Sequence, residues 1–74
     1  MKYFYLIAYD YCIDDGEPTG GYEVLFRNKK ISEEANVRLA IERIIRGIRD
    51  EVAEDSATTI SRVRVIPKNI QLLE

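Results

Sequence analysis

The sequence predicts an α+β domain of order ββαβ, a three-stranded antiparallel sheet in the order 2-1-3 with one long helix packed on one face. Three observations carry this. Two runs near the start alternate with a period of two, a central stretch repeats apolar residues with the period of a helix, and a third alternating run follows and meets a proline. At 74 residues the chain is a single domain, 1–74, near the lower limit at which one hydrophobic core folds unaided. The single cysteine and the lack of histidine leave neither a disulfide nor a credible zinc ligand set to reinforce it, so self-association is the expected support.

The first run, Lys2 to Ile13, reads as one long strand with Tyr3, Tyr5, Ile7, Tyr9 and Tyr11 on one side and Phe4, Leu6, Ala8 and Cys12 on the other. Asp14-Asp15-Gly16-Glu17-Pro18-Thr19-Gly20-Gly21 is a long hairpin loop. Tyr22 to Arg27 then alternates as a second strand, with Tyr22, Val24 and Phe26 opposed to Glu23, Leu25 and Arg27. All the aromatic residues fall between Tyr3 and Phe26, so the aromatic mass belongs to this hairpin.

Ser32 is the expected helix N-cap, followed by Glu33 and Glu34 where the helix dipole favours negative charge. Val37, Ile41, Ile44, Ile45, Ile48 and Val52 then share one helical stripe, and Arg38, Glu42, Arg46, Asp50 and Glu54 the opposite face. The predicted helix has roughly 22 residues and a length of about 33 Å. Gly47 interrupts it at a cost of about 1 kcal/mol relative to alanine. Ile60 to Ile66 is the third strand, Pro67 puts it at a sheet edge, and Asn69 to Leu73 continues it past a bulge.

With one helix for two sheet faces, one face is expected to stay open. The reading that packs the smaller side chains against the helix leaves Tyr3, Tyr5, Ile7, Tyr9 and Tyr11 on the open face, with Glu23, Leu25 and Arg27 on one side and Arg62 and Arg64 on the other. Tyrosine and arginine are enriched at interface hot spots, so this face is the expected protein-binding site. A homodimer through the tyrosine face or an edge strand is also expected. If that face is used up in a dimer, the partner would meet the acidic loop or the charged helix face. The competing class is nucleic acid: bases stack on aromatics of an open sheet flanked by arginines, but a net charge of −2 and the lack of a basic stripe weigh against it.

Other chemistry has little support. Asp10, Asp14, Asp15 and Glu17 cluster near the loop, but with Gly16 at the EF-hand glycine position Tyr11 and Ile13 would fall at ligand positions. The glycines lack the lysine and hydroxyl residue of a phosphate loop. Cys12, expected on the helix-facing side, has no histidine to activate it. No carboxylate pair is placed by the pattern on a concave surface, so the expectation is a non-enzymatic protein with no cofactor and no metal. The lone thiol, the absence of a membrane-length apolar run, and a first stretch too short and tyrosine-rich for a secretory signal point to the cytoplasm.

In size, ββαβ order and the aromatic first strand YFYLIAYDY, the chain resembles the small accessory proteins of phages, prophages and mobile elements, including anti-CRISPR and other counter-defence proteins. The resemblance implies stoichiometric binding to a host protein or protein complex, by occupying a surface. It carries no functional residues across.

Overall fold

The computed structural model describes residues 2–73. Strands β1 (Tyr3–Ile13) and β2 (Thr19–Arg27) form the hairpin, helix α1 spans Val37–Asp55, and β3 spans Val63–Leu73, with single 3-10 turns at Ile31–Glu33 and Ile60–Arg62. The sheet order is β2-β1-β3 and both pairings are antiparallel. The fold is therefore the expected small α+β ββαβ arrangement with the tyrosine strand at its centre. No helix among the described residues is long and apolar enough to cross a membrane.

The hairpin register is continuous from Tyr3 opposite Arg27 to Tyr11 opposite Thr19. Asp14 and Asp15 turn the chain with φ of 53° and 59°, left-handed values that aspartate tolerates better than most residues. On the other side β1 pairs with β3 from Phe4 opposite Leu73 to Ala8 opposite Asn69, and then from Tyr9 opposite Pro67. Lys68 is the extra residue, so the bulge expected after the proline sits on this edge. β3 begins at Val63 and not at Ile60, because residues 60–62 close a 3-10 turn whose Arg62 N–H donates to the Thr59 carbonyl at 3.0 Å.

The helix also begins later than expected. Asn36, not Ser32, is the N-cap: its Oδ1 accepts the Leu39 N–H at 3.0 Å. Ser32 lies in the preceding 3-10 turn, which is pinned to the sheet because buried Ile31 donates its N–H to the Tyr5 hydroxyl at 2.9 Å. The helix is accordingly 19 residues long, about 28 Å.

The main correction concerns the faces. The helix covers the tyrosine side of the sheet. Tyr5 (6% exposed) and Ile7 (1%) pack with Ile44, Ile48 and Val52 of α1 and Val63 and Val65 of β3, and Tyr3, Tyr9 and Tyr11 close around them. The physical reason is volume. A helix over a three-stranded sheet leaves a layer that must be filled to near-crystalline density, and rings fill it where Leu6 and Ala8 could not. The register agrees, since Val63, Val65, Ile70 and Leu72 all align with this side of β1. Glu23, Leu25 and Arg27 share the same side, so they too belong to the helix side of the sheet, at its margin, rather than to the open face. Cys12 faces away from the helix and is nonetheless 4% exposed, outside the main core cluster.

Candidate protein-binding face

Reversing the faces changes which residues meet solvent. The open face holds, from β1, Phe4, Leu6, Ala8, Asp10 and Cys12. Opposite them stand Phe26, Val24, Tyr22 and Gly20 of β2, and Leu73, Gln71, Asn69, Ile66 and Arg64 of β3. Six large apolar side chains on this face are exposed, from 37% at Leu73 to 76% at Tyr22, with Phe4, Val24, Phe26 and Ile66 between. Scattered exposed apolar residues are ordinary, but here strand pairing makes them contiguous. Phe4 and Phe26, directly opposite, meet edge-to-face with centroids 5.2 Å apart, and the Lys2 ammonium lies 4.9 Å above the Phe26 ring. At the other end Asp10 pairs with Lys68 at 3.1 Å, and Arg64 is exposed beside Cys12. The face is thus apolar in the middle with a mainly basic rim.

Of the residues expected to bind a partner, only Arg64 lies on this face. Tyr5 is core. Tyr3 is half-buried with the Lys30 ammonium 5.6 Å above its ring, and Tyr9 and Tyr11 stack obliquely at 6.3 Å under the helix layer. Arg62 sits in the turn before β3 and forks onto the Asp14 carboxylate, its Nε donating to Oδ1 at 2.6 Å and its Nη2 to Oδ2. That fork closes the hairpin loop against the start of β3. The residues missed, Phe4, Tyr22, Val24, Phe26, Ile66 and Leu73, left one signal in the sequence: β2 places three apolar side chains on one side and two charges on the other. The charged side of β2 is nonetheless not the open face, because Glu23 and Arg27 lie at the open margin of the helix layer.

That margin forms a second concave feature. Between β2 and α1 lies a cavity of about 290 Å³ with apolar walls from Ile7, Leu25, Ile44 and Ile48. Gly47 lines it, and a Cβ at that position would meet nothing within 4 Å. Arg27 and Arg43 stand at the end where α1 begins, Glu23 and Glu51 toward the other. Desolvation, followed by a hydrogen bond that the protonated Glu23 donates to Glu51 and by the Glu51 charge, pushes the Glu23 carboxyl up to about 7. Burial, with the charges of Glu23 and Glu51 behind it, raises Tyr9 as well. The groove is therefore bipolar. Among the described residues no three histidine, cysteine or carboxylate side chains converge as a metal site.

No protein-family model matches the chain, and neither a curated protein nor a solved structure matches it.

Proposed function

We propose that this protein acts by binding another protein through the open face of its sheet. One observation carries the reading: Phe4, Tyr22, Val24, Phe26, Ile66 and Leu73 form a contiguous exposed apolar surface on rigid strands. Rigid aromatic and aliphatic anchors lose little conformational entropy on docking, which is what a stoichiometric binder needs. The basic rim of Lys2, Arg64 and Lys68 favours a partner whose apolar patch is edged with carboxylates. A mobile-element protein that blocks a host defence complex by occupying a surface is one setting for such a face, and non-enzymatic action is part of this proposal.

Val24 is the point to test, since it stands mid-face and more than half exposed. A partner captured by the wild-type protein is expected to be lost by Val24→Asp and kept by Arg46→Glu on the exposed side of the helix, with both variants folded by circular dichroism. Retention by Val24→Asp would refute the reading. The same rings favour a second reading, base stacking, because Phe4 and Phe26 stand beside Lys2 and Tyr22 is exposed further along the same face. Binding to single-stranded RNA or DNA that falls steeply with salt would put nucleic acid in place of the protein partner.

A further inference from the structure

The two edges of the sheet are built differently. β3 carries Pro67, a bulge and Lys68, devices that deter the addition of another strand. β2 runs through Thr19–Arg27 in unbroken register, with neither proline nor lysine. Among the described residues β2 pairs only with β1, so its outward peptide groups have no ladder partner. Beside this unguarded edge lies the bipolar groove, with cations at the Arg27 end and carboxyls at the Glu23 end. Neither Glu23 nor Glu51 forms an ion pair among the described residues.

A strand laid antiparallel to β2 must meet these ends in order. Starting at the Arg27 end, its groove-facing positions should read acidic, apolar, basic over roughly 13 Å. β2 itself reads Glu23, Leu25, Arg27 at alternate positions. We propose that the groove takes β2 of a second copy of this chain, antiparallel, about a two-fold axis at Leu25. Glu23 then faces the partner's Arg27, Arg27 faces the partner's Glu23, and the two Leu25 side chains meet at the axis. The overlap runs over Glu23–Arg27, inside the strand on both sides. Arg27 already donates to Glu34 at 2.8 Å, and its remaining N–H groups are enough for a second carboxylate.

The pairing makes one six-stranded sheet with both helices on the same side. Each open face measures roughly 14 Å by 30 Å in plan, about 400 Å², and the pair presents about 800 Å², the area one partner contributes to a standard interface. The inference does not rest on the function proposed above, because the groove residues lie on the other side of β2 from Val24.

Light scattering on a sizing column, from micromolar to millimolar protein, tests it. The wild-type chain is expected to reach twice 8.6 kDa. Glu23→Arg and Arg27→Glu each place like charges across the axis twice, and each is expected to weaken the dimer by about tenfold or more. An equimolar mixture of the two restores opposite charges and is expected to dimerise, as is the double variant E23R/R27E, which also serves if a single variant fails to fold. A wild-type monomer throughout the range overturns the proposal. So does a dimer indifferent to these charges, or one lost in Val24→Asp and kept in Glu23→Arg, which would move the self-interface to the open face.

Discussion

Tyr5 shows how one side chain can serve two layers. Its ring is core and its hydroxyl accepts the N–H of buried Ile31, fastening the chain between β2 and α1 to the central strand. Tyr5→Phe keeps the ring and leaves that N–H without a partner, so it is expected to cost about 1–2 kcal/mol in urea denaturation. An unchanged midpoint would mean that Ile31 finds another acceptor. Glu23 makes the pH-dependent counterpart. Its folded carboxyl is raised from 4.5 to about 7 by burial and by Glu51, with Tyr9 also near and Arg27 and Arg43 at the far end of the groove. A raised carboxyl holds its proton more tightly in the folded state. The stability it contributes is present below pH 4.5 and is lost as pH rises through 7. Glu23→Gln is therefore expected to be more stable than wild type at pH 8, by about 1 kcal/mol given screening at this half-open site, and to differ little at pH 4. A constant difference across that range in denaturant titrations would refute it.

Among the elements, the helix separates what the pattern of residues can tell from what it cannot. The apolar stripe and its contact with the sheet follow from spacing alone, and Ile44, Ile48 and Val52 are buried as that spacing requires. The start was misplaced because Ser32 and Asn36 are both competent caps. The Ile31 contact with Tyr5, distant in sequence, fastens residues 31–33 to the sheet as a separate 3-10 turn. Asn36→Ala is expected to cost about 1 kcal/mol and Ser32→Ala under about 0.5 kcal/mol, and the reverse order in thermal unfolding would return the cap to Ser32. Gly47 is read the same way. Its Cβ position is open space, so Gly47→Ala should stabilise the chain by up to about 1 kcal/mol through helix propensity, and a lowered Tm would show an occupant that the monomer lacks. Strand order and the edge bulge were legible too, from the ββαβ sequence and from Pro67. The choice of covered face was not, because both sides of β1 are apolar and register with β3 decides between them.

For the whole molecule, a chain this short with one helix covers only one side of its sheet, and the identity of that side determines what the rest of the surface can do. The alternation along the strands supplies an internal test, because successive residues point to opposite faces: Ile7 is 1% exposed beneath the helix, while Val24, the neighbour in β2 of Ile7's partner Glu23, is 56% exposed on the other side. If the helix covers the tyrosine side, Ile7→Ala removes close-packed atoms and is expected to cost about 2–5 kcal/mol. Val24→Lys places an ammonium in water on an unpacked face and is expected to change stability by under about 1 kcal/mol. It should also lower the fluorescence of a dye that reports exposed apolar surface, since it interrupts the patch between Phe26 and Tyr22. If Val24→Lys were the more damaging change, the covered face would be the Phe4 side after all, and the tyrosines would regain the exposed position that the sequence pattern first suggested for them.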